Sequence, residues 1–231
     1  MSLIKKASRA ETWLKIGFSG PSGSGKTMSA LRFAKGFMGD LSTTVVLDTE
    51  NGSATLYSEI GDYSVLPFEP PYHPDRFTKA IKYCVDQGFK FIIIDSASAE
   101  WSGVGGALDI QSKLGGRFQD WATVTPLHDA FIAAMLNAPA HIMSCIRRKQ
   151  EYGMVEKGGR MVVEKMGLKE VQRDSYEYEL TVNFDINMQH LAVASKDRTN
   201  LFNDVTPFLI DENVGKKVAN WNSNKQQTKG N

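Results

Sequence analysis

Along the first hundred positions, short β-branched runs alternate with stretches of helical apolar spacing. Lys15 to Ser19 reads as a short strand that runs into a Gly/Ser loop. From Thr27 a helix follows, with Met28, Leu31, Ala34 and Phe37/Met38 at three- and four-residue spacing, and Gly39-Asp40 ends it. Thr44 to Asp48 is a β-branched strand, and Tyr63 to Phe68 is another, closed by Pro70-Pro71. Asp75 is placed to cap a helix over Arg76 to Gln87, in which Phe77, Ala80/Ile81 and Cys84/Val85 share a face. Phe91 to Ile94 is apolar throughout, as strands buried on both faces of a parallel sheet are. This alternation predicts an α/β layered fold.

The second half reads differently. A Gly-rich loop (Gly103, Gly105, Gly106) precedes a helix near Leu108 to Leu114. Thr125-Pro126 opens another helix, with Leu127, Phe131 and Ala134/Met135 on one face. Ala140 to Ile146 is a further buried strand. Residues 147–174 are charged and glycine-punctuated, and are expected to form a mobile basic hairpin or loop. Tyr176 to Ile186 and His190 to Ser195 alternate like strands around a turn at Asn187-Met188-Gln189. These divisions predict an N-terminal extension over 1–12, one domain over 13–212 and a flexible polar tail over 213–231.

Composition narrows this little. The 231 residues are 42% hydrophobic and 23% charged, with a formal net charge of +1, so no global field points to nucleic acid or membrane. Cys84 and Cys145 sit in apolar runs without ligand-spaced neighbours, as buried thiols of a reducing compartment do. Neither a signal peptide nor a membrane-length apolar run is present, so a cytoplasmic location and no membrane partner are expected.

The sharpest signal is Gly20-Pro21-Ser22-Gly23-Ser24-Gly25-Lys26-Thr27, a gapless G-x-x-x-x-G-K-[ST] between a strand and a helix. Small residues let successive N–H groups face phosphate oxygens. Lys26 reaches the β- and γ-phosphates of ATP, Thr27 ligates Mg2+, and the helix start favours the anion. Phe91 to Asp95 is the matching Walker B strand, with Asp95 as the second Mg2+-side residue. Ser96 follows Asp95, so no glutamate stands there to act as base. Glu50, after the strand ending at Asp48, would face the same crevice; it fits either a water-orienting base or a solvated strand-end acid. Glu100 is the rival carboxylate, in the loop beyond Asp95.

Here a resemblance becomes specific. Leu47-Asp48-Thr49-Glu50 with Tyr57, Ile93-Ile94-Asp95-Ser96, and the strand His141 to Arg147 resemble the RecA segments that carry the catalytic glutamate, the adenine-stacking tyrosine, the Walker B acid and the γ-phosphate sensor. The family's sensor is usually Gln; Ser144 or Arg147 stands near that place. Lys196-Asp197-Arg198 resembles paired cations that reach a neighbouring subunit's ATP site. Narrower still, Val124 to His128, Arg147 to Tyr152, Gln172 to Glu179 and Lys196 to Thr199 are similar to phage-encoded RecA-like single-strand annealing ATPases.

The resemblance implies an α/β P-loop NTPase with a RecA-like core, a mostly parallel sheet flanked by helices, and an antiparallel C-terminal hairpin. It implies a Mg-dependent, DNA-dependent ATPase that forms a ring or filament of identical subunits on single-stranded DNA, in company with a single-strand-binding protein, in the host cytoplasm. Lys26, Glu50, Asp95, Lys196 and Arg198 would then be catalytic, and Tyr57 would stack on adenine. In the charged segment Arg147, Arg148, Lys149, Lys157, Arg160 and Lys165 would track DNA phosphates and Tyr152 would stack on a base. Lys157-Gly158-Gly159-Arg160 would turn the hairpin. The residues alone also admit a solvated charged hairpin, a nucleotide-gated binding module with little turnover, or a small-molecule kinase.

Overall fold

The computed structural model describes residues 4, 7–157, 160–203 and 205–223. In chain order the elements are β1 (Lys15–Gly20), α1 (Lys26–Met38), β2 (Thr44–Asp48), β3 (Ser64–Pro67), α2 (Pro74–Asp86), β4 (Phe91–Asp95), α3 (Ser98–Ser102) and α4 (Ala107–Lys113). There follow α5 (Trp121–Asn137), β5 (His141–Lys157), β6 (Arg160–Glu170), α6 (Tyr176–Glu179), β7 (Val182–Ile186), β8 (Leu191–Asp197), β9 (Phe208–Leu209) and α7 (Glu212–Asn222). The strands order as β3-β2-β4-β5-β1-β7-β8-β9, with β6 pairing β5 alone. From β3 to β7 all pairings are parallel; β8 and β9 continue antiparallel.

The continuous apolar runs are explained by burial on both faces. Val46, Ile93 and Met143 point to one face, where they meet Leu31, Phe33 and Ala34 of α1 and Val214 and Val218 of α7. Their neighbours Val45, Leu47, Ile92, Ile94 and Ile142 point to the other, where they meet Phe77 and Ile81 of α2 and Phe131 and Met135 of α5. Each such side chain contributes about 1.5–3 kcal/mol on burial, which is why these strands are apolar at successive positions rather than at alternate ones.

Several expectations are corrected. Helix α2 begins at Pro74, and His73 rather than Asp75 is its cap, accepting from the Asp75 N–H at 3.2 Å. Helix α5 begins at Trp121, so Pro126 lies inside its second turn. Residues 176–179, expected as strand, form the short α6, which buries Tyr176. Part of the expected tail is helix: Glu212–Asn222 form α7, capped by Asp211 and packed on α1 through Val214 and Val218. A Cβ on Gly36 would overlap the Glu212 carbonyl and one on Gly215 the Phe33 carbonyl, so glycine permits this helix crossing. Residues 224–231 lie outside the described residues. In the extension, Arg9–Glu11 form a 3-10 turn, and the Arg9 guanidinium lies 4.9 Å over the Trp221 ring.

The charged segment is a long antiparallel hairpin. β5 leaves the main sheet after Arg147, and beyond it pairs only with β6, from Arg148↔Glu170 to Lys157↔Arg160. Its expected tip, Gly158-Gly159, lies outside the described residues. Both cysteines are free and buried. Among the described residues no helix is long and apolar enough to cross a membrane.

Candidate nucleotide site

Parallel pairing puts the carboxyl ends of β1, β2 and β4, and the point at Arg147 where β5 leaves the main sheet, along one edge of the sheet. The register sets Gly20 beside Arg147 and Asp48 beside Asp95. Crevices outside such strand ends are where open α/β sheets bind ligands. Here a cavity of about 300 Å³ is lined by the phosphate loop, Glu50, Tyr57, Asp95, Arg147 and His190.

The loop turns through glycines at Gly23 (φ 81°) and Gly25 (φ 90°), a left-handed conformation that glycine adopts without strain. Gly20 is packed against the Ile186 carbonyl and Ser24, so a side chain there would not fit. The Lys26 ammonium, nearly buried, donates to the carbonyls of Gly20 (3.1 Å) and Pro21 (2.8 Å). Thr27 Oγ1 donates to Asp95 Oδ2 at 2.5 Å. Burial pushes the Asp95 carboxyl up to about 6; Thr27 pulls it down, and Glu50 pushes it further up.

Glu50 is set by the end of β2. Asp48 Oδ1 accepts from the Glu50 N–H (2.7 Å) and Oδ2 from the Ala54 N–H (3.1 Å), which turns the chain out of the sheet. Thr49 stitches this end to Walker B: its N–H donates to the Asp95 carbonyl (2.7 Å), and its hydroxyl accepts from the Ser96 N–H (2.9 Å). The Glu50 carboxylate accepts twice at Oε1, from Arg147 Nε (3.0 Å) and Nη2 (2.8 Å). Tyr57, half-buried on the Ser53–Ile60 turn, lines the same cavity.

The two sensor candidates part company. Ser144 is fully buried on the α5 side, against the Tyr176 hydroxyl at 2.7 Å, whereas Arg147 opens into the cavity. The rival Glu100 is held elsewhere. It lies fully buried on α3 against His128 Nδ1 (3.0 Å), a pairing that the scattered histidines did not suggest.

Lys196 and Arg198 lie at the other end of the sheet. β8 runs antiparallel to β7, so Lys196 faces Asn183, which pairs with Gly17 near the start of β1. Lys196 donates to the Glu177 carbonyl (2.8 Å) and Arg198 to that of Tyr178 (2.9 Å), at the carboxyl end of α6. The cations expected to track DNA also separate. Arg147 belongs to the cavity. Arg148 is half-buried at the hairpin root, paired with Asp185 at 2.5 Å and donating to the Leu168 carbonyl. Lys149 is exposed on the hairpin. The side chains of Tyr152, Lys157, Arg160 and Lys165 lie outside those the structure describes.

Sequence reading missed His190, Arg32, Leu209 and Ile210, which complete the cavity. Arg32 lies on α1, just beyond the phosphate loop, where helical spacing could have pointed to it. His190, Leu209 and Ile210 could not be read that way, because they come from a turn and the β9 segment brought in by the pairing of β7, β8 and β9.

A phosphate-binding loop on a parallel sheet, with a strand-end acid hydrogen-bonded to its threonine, defines a P-loop nucleoside triphosphatase. The sequence profile of the AAA domain family (AAA_24) matches residues 12–228. The chain belongs to this family of P-loop nucleotide-binding ATPases. No curated protein matches it.

Proposed function

We propose that the protein hydrolyses ATP with Mg2+ in this cavity and does so on single-stranded DNA, as an assembly of identical subunits that promotes annealing or recombination. The observation that supports the chemistry best is the convergence of Glu50, Lys26, Thr27 and Asp95 on one cavity. Lys26 exchanges two loop carbonyls for a terminal phosphate. Arg147 occupies Glu50 Oε1, so Oε2 is the oxygen that accepts from and orients a water.

Thr27 and Asp95 offer the hard oxygen donors that Mg2+ takes. The fit is favourable because Asp95 is an acid 1% exposed, and its charge weighs against the fold unless a cation compensates it. When bound, Mg2+ supplies charge neutralisation at the phosphates.

The DNA half of the reading is supported by the hairpin, which leaves the sheet beside Arg147, and by the motif resemblance. Lys196 and Arg198 are offered to a neighbouring subunit's nucleotide, since their own cavity lies at the other end of the sheet.

Turnover measured with and without single-stranded DNA tests this, in the native protein, Lys26→Ala and Glu50→Gln. DNA-stimulated turnover lost in both variants is expected. Binding without turnover would point instead to a nucleotide-gated interaction module, and phosphate appearing on a small-molecule acceptor to a kinase.

A further inference from the structure

His190 is a left-handed, non-glycine residue (φ 63°) in the turn between β7 and β8. Such backbone persists where its surroundings over-determine it, and it clusters at functional sites. Here the surroundings are explicit. Asn187 Oδ1 accepts from the N–H groups of Gln189 (2.9 Å) and Leu191 (3.0 Å), and the Asn187 carbonyl accepts from the His190 N–H (3.0 Å). The turn is thereby held against the phosphate loop. His190 Nδ1 stands 2.9 Å from the Ser24 carbonyl oxygen, and a Cβ on Gly25 would come within 3.2 Å of the same nitrogen.

We propose that His190 is a positioning residue for the phosphate loop, resting on the nucleotide reading of that cavity. A carbonyl oxygen only accepts, so Nδ1 carries the proton and donates. The Ser24–Gly25 peptide is trans, so its C=O and N–H point in opposite directions. Fixing the Ser24 carbonyl therefore fixes the Gly25 N–H, one of the loop amides that phosphate oxygens meet. With the left-handed Gly25 free to rotate, that amide would otherwise have to be ordered by the nucleotide itself, at a cost in affinity.

Asparagine separates the donor from the ring. Its Nδ2 is as many bonds from the backbone as His190 Nδ1, and asparagine tolerates the left-handed region. Aspartate has the same shape but no proton to donate at neutral pH. The experiment is ATP affinity and steady-state turnover for His190→Asn, His190→Asp, His190→Gly and Lys26→Ala, with thermal midpoints for each.

We expect His190→Asn to bind within about 3-fold of the native protein. His190→Asp and His190→Gly should bind roughly 10-fold more weakly, in KM more than in kcat, the size of one lost hydrogen bond. Equal weakening in the asparagine and glycine variants, or native affinity in all three, would overturn the assignment, as would a loss confined to kcat. Lys26→Ala separates the two readings: native ATP affinity in that variant would mean that the loop is not the nucleotide site at all.

Discussion

Thr27 and Asp95 meet at 2.5 Å across the gap between α1 and β4, joining the last residue of the phosphate loop to the Walker B acid. This contact sets an acid with very little solvent against an uncharged donor. Its usual value of 3.8 is raised to about 6, chiefly by burial. Between those values the folded chain keeps a proton that the unfolded chain has released, so above about 6 the ionised acid weighs against folding by up to about 3 kcal/mol. Asp95→Asn should therefore stabilise the nucleotide-free protein at pH 7 to 8, since its amide oxygen still accepts from Thr27. The same change should abolish stabilisation by Mg2+ with ATP. Denaturant midpoints with and without both ligands check this, and a variant less stable than the native protein would count against it.

Arg147 and Glu50 form the cavity's other charged contact, half-exposed and through one carboxylate oxygen. Exposed pairs of this kind contribute little to stability, about 1 kcal/mol or less, so the consequence is expected in rate. Glu50→Gln should lower turnover about 10²- to 10⁴-fold, as loss of an acid–base group does, with ATP affinity little changed. Arg147→Met should lower turnover less on its own. Combined, the two losses should fall short of additive, because the residues touch. Independent, fully additive losses would separate Arg147 from the function of Glu50.

The parts of this site that were legible in sequence are those whose chemistry is local. Gly20 to Thr27 must follow one another for the loop to close. Asp95 and Glu50 were readable because an apolar run announces where a buried strand ends. His190 was not, since its place depends on the pairing of β7 beside β1. Helix α7 was hidden by composition: among Asn and Lys, only Val214, Val218 and Trp221 mark its inner face. The hairpin gave no strand signal because β6 pairs with β5 alone, and Met154, Met161, Val163 and Met166 remain exposed, so no buried face imposed alternation.

At the opposite end of β5, His141 is the group whose titration should set acid sensitivity. Its Nδ1 accepts from the Leu14 N–H at 3.0 Å, which requires a neutral ring. Burial, and then the charge of Lys15, bring it from 6.5 down to about 4. Between those values the unfolded chain binds a proton that the folded chain refuses, so stability rises with pH across that window and is lost as pH falls through it. From pH 7 to pH 5 this group should account for up to about 2 kcal/mol of loss, while Asp95 works in the opposite direction. His141→Asn keeps an acceptor at the same bond distance from the backbone. It should be less stable at pH 7, having lost the ring's contacts with Phe37 and Phe91. It should also lose less on moving to pH 5. Unfolding midpoints at the two pH values measure that difference, and parallel losses would acquit His141.

The hairpin can be removed without entering the core. Lys149 and Lys169 lie opposite each other near its root, just beyond the ion pair of Arg148 with Asp185. Replacing Gln150 to Leu168 with an Asn-Gly turn between them would keep that ion pair, exchanging the Leu168 carbonyl that accepts from Arg148 for that of the turn glycine. Such a turn suits the twist of the two flanking strands. The exposed apolar side chains that disappear contribute little to the fold, so the thermal midpoint should move by only a few degrees. Nucleotide affinity should stay within about 3-fold, because none of the described residues among those excised lines the cavity. Stimulation of turnover by single-stranded DNA should vanish, along with most of the salt dependence of DNA binding that phosphate contacts confer. A shortened protein that still responds to DNA as the native one does would move the DNA site off the hairpin while leaving the ATPase assignment untouched.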